Sequence, residues 1–139
     1  MSVTRPVLQY TVLAMSVIAV LHDVVALIVN PSFAIGADAQ TVKFLWVDYN
    51  GWHAVLGLLI FLPGLYVWRR ADWAQLYALA IVFGLMSTAI WGLLETNPLG
   101  VLSLPDQRAD AIFHVGVAGV YVLALALQGL RDTPRGAST

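Results

Sequence analysis

The chain has 139 residues, of which 60% are hydrophobic and 11% charged, with a formal net charge of −1 and a mean hydropathy of +0.80. So little charge cannot cover a water-soluble domain of this length, and the composition points to an integral membrane protein. No basic block is present for nucleic acid, and the lack of cysteine excludes disulfides, thiolate metal sites and iron–sulfur clusters.

Four apolar runs follow one another. The first covers about 7–29 and ends at Asn30-Pro31. The second, about 51–68, stops at Arg69-Arg70. The third, about 73–94, runs into Glu95-Thr96-Asn97-Pro98. The fourth, about 111–130, precedes a polar tail, 131–139, expected to be disordered. Each run has the ~17–25 helical residues that a bilayer requires, and lipid offers the backbone no partner outside its own helix. The expected fold is all-α: one integral membrane domain, 1–139, built as a four-transmembrane-helix bundle from two helical hairpins. Ala37-Asp38-Ala39 resembles a signal-peptide cleavage site, but the run before it is too long and contains His22-Asp23, so cleavage is not expected.

Basic residues set the orientation. Arg5, Arg69, Arg70, Arg131 and Arg135 fall on one side of a four-span chain, and Lys43 and Arg108 on the other. Both termini are therefore expected in the cytoplasm of a plasma-membrane protein. The aromatic residues agree, with Trp46, Tyr49 and Trp52 at the outer edge and Trp68 and Trp73 at the inner edge. The loop from Pro31 to Asp48 is long enough to fold over the outer mouth.

Ionisable residues inside spans cost about 2.5–3.5 kcal/mol on insertion scales, so they face the bundle or a cavity. Helical spacing puts His53 on a face with Gly57 and Gly64, and His114 with Ala118, Tyr121 and Leu125, Asp110 lying one turn earlier. His22 aligns with Thr11, Met15 and Ala26, and Glu95 falls near the stripe Ala80, Gly84, Thr88, Gly92. That stripe suits close helix packing, within the bundle or against a partner if it faces outward. At about 1.5 Å per residue the three histidines lie within about two turns of one level, in the outer half.

Three histidines and nearby carboxylates on different helices are the ingredients of a transition-metal site for zinc or copper. His22, His53, His114, Glu95 and Asp110 are the candidate ligands, with Asp23, Asp48 and Asn50 as polar support. The competing account is structural: the same groups hydrogen-bond between helices, while Asp48 and Asp110 cap helix starts. A b-type haem between two histidines is a lesser alternative, since a macrocycle needs more room than four helices readily spare. Proton handling by His22-Asp23 lacks a polar path continuing inward. Catalysis has little support, because Ser103 in the outer loop has no nucleophile motif around it. A chain with so little extramembrane mass also suits a homo-oligomer or an accessory subunit of a larger membrane complex.

The run from Asn50-Gly51-Trp52-His53 through Ala54-Val55-Leu56-Gly57-Leu58-Leu59 resembles the second-helix signature of a bacterial four-helix membrane family known by number, domain of unknown function 4383. Trp73-Ala74-Gln75-Leu76-Tyr77-Ala78-Leu79 and Asp110-Ala111-Ile112-Phe113-His114 resemble its third and fourth helices. The resemblance, over about 48–127, implies a four-helix membrane protein marked by Asn50, His53, Asp110 and His114. It implies no activity.

Overall fold

The computed structural model of the chain describes residues 6–35, 41–94 and 107–132. Glu95, Ser103, Asn97-Pro98 and Ala37-Asp38-Ala39 lie outside the described residues. Helix α1 spans Pro6–Val29, and strands β1 (Val42–Phe44) and β2 (Val47–Tyr49) follow. The second apolar run forms α2 (Gly51–Phe61) and α3 (Gly64–Val67), the third α4 (Ala71–Leu94) and the fourth α5 (Gln107–Asp132). The described residues are thus mostly helical, and among them three helices are long and apolar enough to cross a membrane, with a shorter apolar one over Gly51–Val67. The fold is not purely α-helical, because β1 and β2 pair.

Each long helix buries one stripe at three-to-four-residue spacing. On α4 the stripe is Ala71, Ala74, Ala78, Ile81, Leu85, Ala89 and Gly92, and on α5 Ala111, Ala118, Tyr121 and Ala124. Alanines facing alanines let α4 and α5 approach closely, and this pair has the most extensive helix contact. The stripe Ala80-Gly84-Thr88 is not this seam: Ala80 and Thr88 are exposed, and a Cβ at Gly84 would meet nothing within 4 Å. Gly92 alone of the four lies on the buried face.

Helix α1 packs against every other helix, whereas α2 meets α4 and α5 only narrowly. Its antiparallel contact with the second run rests on two glycines. A Cβ at Gly57 would collide with the Asp23 carboxylate, and one at Gly64 with Ser16 Oγ and the Tyr77 hydroxyl. Asp23 and Ser16 are seven residues apart on α1, as are Gly57 and Gly64, so two polar side chains seat in two gaps of one seam.

Pro63 divides the second run. Leu62 and Pro63 keep right-handed helical dihedrals, so the direction persists. The bonding tightens, with Leu65 N–H donating to Leu62 O at 3.1 Å and Tyr66 N–H to Pro63 O at 3.0 Å. Proline cannot supply an amide here. The Tyr77 hydroxyl of α4 donates to the Ile60 carbonyl at this break, at 3.1 Å, and Ser16 Oγ lies 3.5 Å from the same hydroxyl. The proline break is therefore tied to two neighbouring helices.

The strands form an antiparallel hairpin in the register Val42↔Tyr49, Lys43↔Asp48, Phe44↔Val47. Its two-residue turn has positive φ at both central positions, 47° at Leu45 and 81° at Trp46. Tight hairpins usually place Asn or Gly there, so this turn is strained and is held by its flanks. Val47 and Tyr49 are buried with Ala26 and Ala54 in a small cluster under the hairpin. The main core, built on Leu8, Val12, Phe61, Ala74, Ile81 and Tyr121, lies toward the other end.

Candidate functional site

The motif Asn50-Gly51-Trp52-His53 builds one wall of the site, each residue with its own task. Asn50 is the N-cap of α2: its backbone is extended (φ −132°, ψ 178°) and its side chain accepts the His53 amide at 3.0 Å. Capping therefore falls to Asn50 and not to Asp48. Gly51 admits the segment after α1, since its N–H donates to Ser32 O at 2.7 Å and a Cβ there would crowd Ser32 O and the Phe33 ring. Trp52 clamps that segment, Nε1 donating to Phe33 O at 2.9 Å. Asn30 closes the joint, its Nδ2 donating to Tyr49 O at 2.9 Å. With the helix start fixed, His53 in the first turn points inward and is buried.

Opposite it stands the first turn of α5. This helix begins at Gln107, so Asp110 lies inside the helix, with His114 four residues on and on the same face. The Asp110 carboxylate bridges two helices, with Oδ1 3.6 Å from His53 Nε2 and Oδ2 3.5 Å from His114 Nδ1. Thr88 of α4 approaches the same His114 nitrogen at 3.4 Å. One ligand-type atom from each of His53, Asp110 and His114 lies within 4.8 Å of the other two.

The first helix adds a second pair. Asp23 is the buried member, and its Oδ1 lies 3.2 Å from His22 Nδ1. Of the face predicted through His22, Thr11, Met15 and Ala26, Ala26 is buried and Met15 and His22 line the cavity between the two hairpins, while the fully buried stripe runs through Leu8, Val12, Ser16, Asp23 and Ala26. The His22 side chain is 14% exposed. Its ring packs against Phe44 and Tyr49, both with centroids at 4.9 Å, and Tyr49 in turn stacks on His53 at 4.2 Å. Tyr49 thus joins His22 to His53, and His22 is not in the converging group. Burial, then the carboxylates of Asp23 and Asp110, push the Tyr49 phenol well above its ordinary range, so it stays a neutral donor. Asp48, also buried, supports the hairpin side of the site.

These groups end a cavity of about 330 Å³ between the two hairpins, in the gap left where α2 stands off from α4 and α5. Toward the hairpin end its lining is polar, with Asp23, Tyr49, His53, Asp110 and His114, and further along the helices it becomes apolar, with Met15, Ala19, Ile60, Phe61 and Leu85. Gly57 lines it too, but Gly64 is filled by Ser16, while a Cβ at Gly116 or Gly119 would meet nothing within 4 Å. Of the candidate ligands, the structure brings His53, Asp110 and His114 together, sets His22 beside them with Asp23, and leaves Glu95 outside the described residues. Tyr49 was read from the sequence only as an interfacial aromatic. The alternation Val47-Asp48-Tyr49 was the one local signal that it stands in a strand aimed at the helices.

Residues 9–127 match the family described as Domain of unknown function (DUF4383), and the chain belongs to that family. No curated protein and no solved structure matches it.

Proposed function

We propose that this DUF4383 family member is a multi-pass membrane protein that holds one transition-metal ion, zinc or copper, between His53, Asp110 and His114. The membrane setting is supported by the three long apolar helices and by outer faces carrying Ile28, Tyr66, Phe83 and Leu94 in exposed positions. An apolar surface of that extent suits lipid and not water. The second run, Gly51–Val67, reaches about 26 Å at 1.5 Å per residue, close to a hydrocarbon thickness of about 30 Å. Arg69, Arg70 and Arg131 support an orientation with both termini in the cytoplasm and the histidine site in the outer half.

The convergence of three ligand-type atoms within 4.8 Å carries the metal proposal. A tetrahedral ion with bonds near 2.0–2.1 Å has ligands about 3.3 Å apart. The Asp110 carboxylate faces both imidazoles, Oδ1 at 3.6 Å from His53 Nε2 and Oδ2 at 3.5 Å from His114 Nδ1. Two imidazoles and one carboxylate leave a fourth position, and the cavity lies beside it. His22 would act from behind, through Tyr49, and would not be a ligand.

A second reading has its own observation: Asp110 bridges α2 and α5 where their backbones otherwise meet little. On that account the triad is a packing clamp, worth about 0.6 and at most about 1.7 kcal/mol per interhelical bond. Elemental analysis of detergent-purified protein after metal loading and desalting separates the two. The metal site predicts one equivalent per chain, lost in His53→Gln and His114→Gln, with little change in metal-free thermal stability. A chain that retains no stoichiometric metal, and whose variants melt earlier without it, is a clamp.

A further inference from the structure

Two imidazoles and one carboxylate leave the proposed ion with an open position, and Thr88 of α4 stands beside it. Thr88 lines the same cavity as His53, Asp110 and His114. Its Oγ1 lies 3.4 Å from His114 Nδ1, the nitrogen that Asp110 Oδ2 faces at 3.5 Å. Two oxygens from different helices thus meet one edge of the His114 ring. They differ in kind: one belongs to the carboxylate already counted as a ligand, the other to a neutral hydroxyl.

The direction of that hydroxyl restricts what it can face. A hydroxyl carries one hydrogen and two lone pairs. Thr88 Oγ1 donates along its own helix, lying 3.1 Å from the Gly84 carbonyl oxygen and 3.0 Å from that of Leu85. Both are acceptors only, so the single hydrogen is committed to the backbone whichever of them takes it. What Thr88 turns toward His114 is therefore a lone pair. Without metal, His114 Nδ1–H can donate to it. With an ion on that edge of the ring, the ligand in the open position meets an acceptor that cannot become a donor without giving up its backbone bond. A ligand whose donor atom carries a hydrogen gains a hydrogen bond there. An aprotic anion sets its own lone pairs against that of Oγ1 and leaves it unpaired.

We infer that Thr88 selects the fourth ligand of the metal, favouring a protic one, water or hydroxide in the simplest case, over aprotic anions. The selection rests on the metal proposal, and the test separates the two. Full-length protein in detergent is loaded with cobalt(II), an optically visible stand-in for zinc, then desalted and assayed for metal. It is next titrated with azide while the visible absorption of the cobalt is followed. One equivalent of cobalt is expected in the wild type, Thr88→Val and Thr88→Ser alike. Azide should bind about tenfold more tightly to Thr88→Val than to the wild type, the scale of one hydrogen bond, and Thr88→Ser should return to the wild-type value. Equal azide affinity in the wild type and Thr88→Val, both fully loaded, overturns the inference and leaves the metal site standing. A loss of cobalt confined to Thr88→Val marks a packing role and overturns it too, whereas a wild type that retains no cobalt overturns both proposals. A check on the unaltered protein needs no variant to fold. Loaded with copper(II), it should show by electron–nuclear double resonance a strongly coupled proton on the fourth ligand that exchanges in D2O, and the absence of that proton overturns the inference.

Discussion

The bundle carries polar side chains in two places, and they are treated in opposite ways. Around Pro63 the Tyr77 hydroxyl donates to the Ile60 carbonyl, Ser16 lies against that hydroxyl, and Gly64 makes the room. There the polar groups repair a broken helix and leave no space. Around His53 and Asp110 the helices stand apart and a cavity opens, with His53, Asp110 and His114 lining its polar end. At the packed end the polar groups leave no room beside them, whereas at the open end they leave room for a ligand.

The comparison can be broken most forcefully at the packed end. Gly64→Ala sets a methyl against Ser16 Oγ and is expected to cost about 1–3 kcal/mol. Adding Ser16→Ala should restore part of that loss, as read by thermal melting in detergent. Gly116→Ala, with open space around it, should not destabilise. Equal effects at Gly64 and Gly116 would refute the close seam. Tyr77→Phe comes next: it withdraws the hydroxyl from Ile60 O and is expected to cost about 1–2 kcal/mol, with faster amide exchange around Pro63 as its signature. At the open end the effects on stability should be smaller. Asn50→Ala removes the cap of α2 and should cost about 1 kcal/mol, while also lowering metal loading because His53 loses its fixed helix start. Asn50→Ser, which can still cap, should recover both.

The smallest effect concerns Tyr49. Its phenol is held above its ordinary range in the folded protein, so above about pH 10 the unfolded chain releases this proton and the folded chain keeps it. The folded state then binds more protons, and stability falls as pH rises through that window. Tyr49→Phe should flatten this part of the pH–stability curve and leave neutral-pH behaviour nearly unchanged.

Much of this was legible in the residues. Apolar length located the helices, and an ionisable group in each of several runs located a shared polar level. The first-turn histidine of the second run pointed to a helix start aimed inward, but its cap is Asn50 and not the expected Asp48. The hairpin was hidden because its turn, Leu45-Trp46, lacks the Asn or Gly that positive φ favours. On α1 the predicted face through Met15, His22 and Ala26 does turn inward, and Asp23 beside it is buried more deeply because the gap over Gly57 accepts its carboxylate. Gly57 and Gly64, placed by helical spacing on the His53 face, are where α1 side chains pack. The cavity instead comes from the stand-off of α2 from the other hairpin, a tertiary relation that no local pattern encodes.

The most direct test of the metal proposal is X-ray absorption at the metal edge of the zinc-loaded protein. Two imidazole ligands with oxygen completing the shell, at about 2.0–2.1 Å, are predicted, falling to one imidazole in His114→Gln. A shell of oxygens alone, or a spectrum unchanged in that variant, would contradict it.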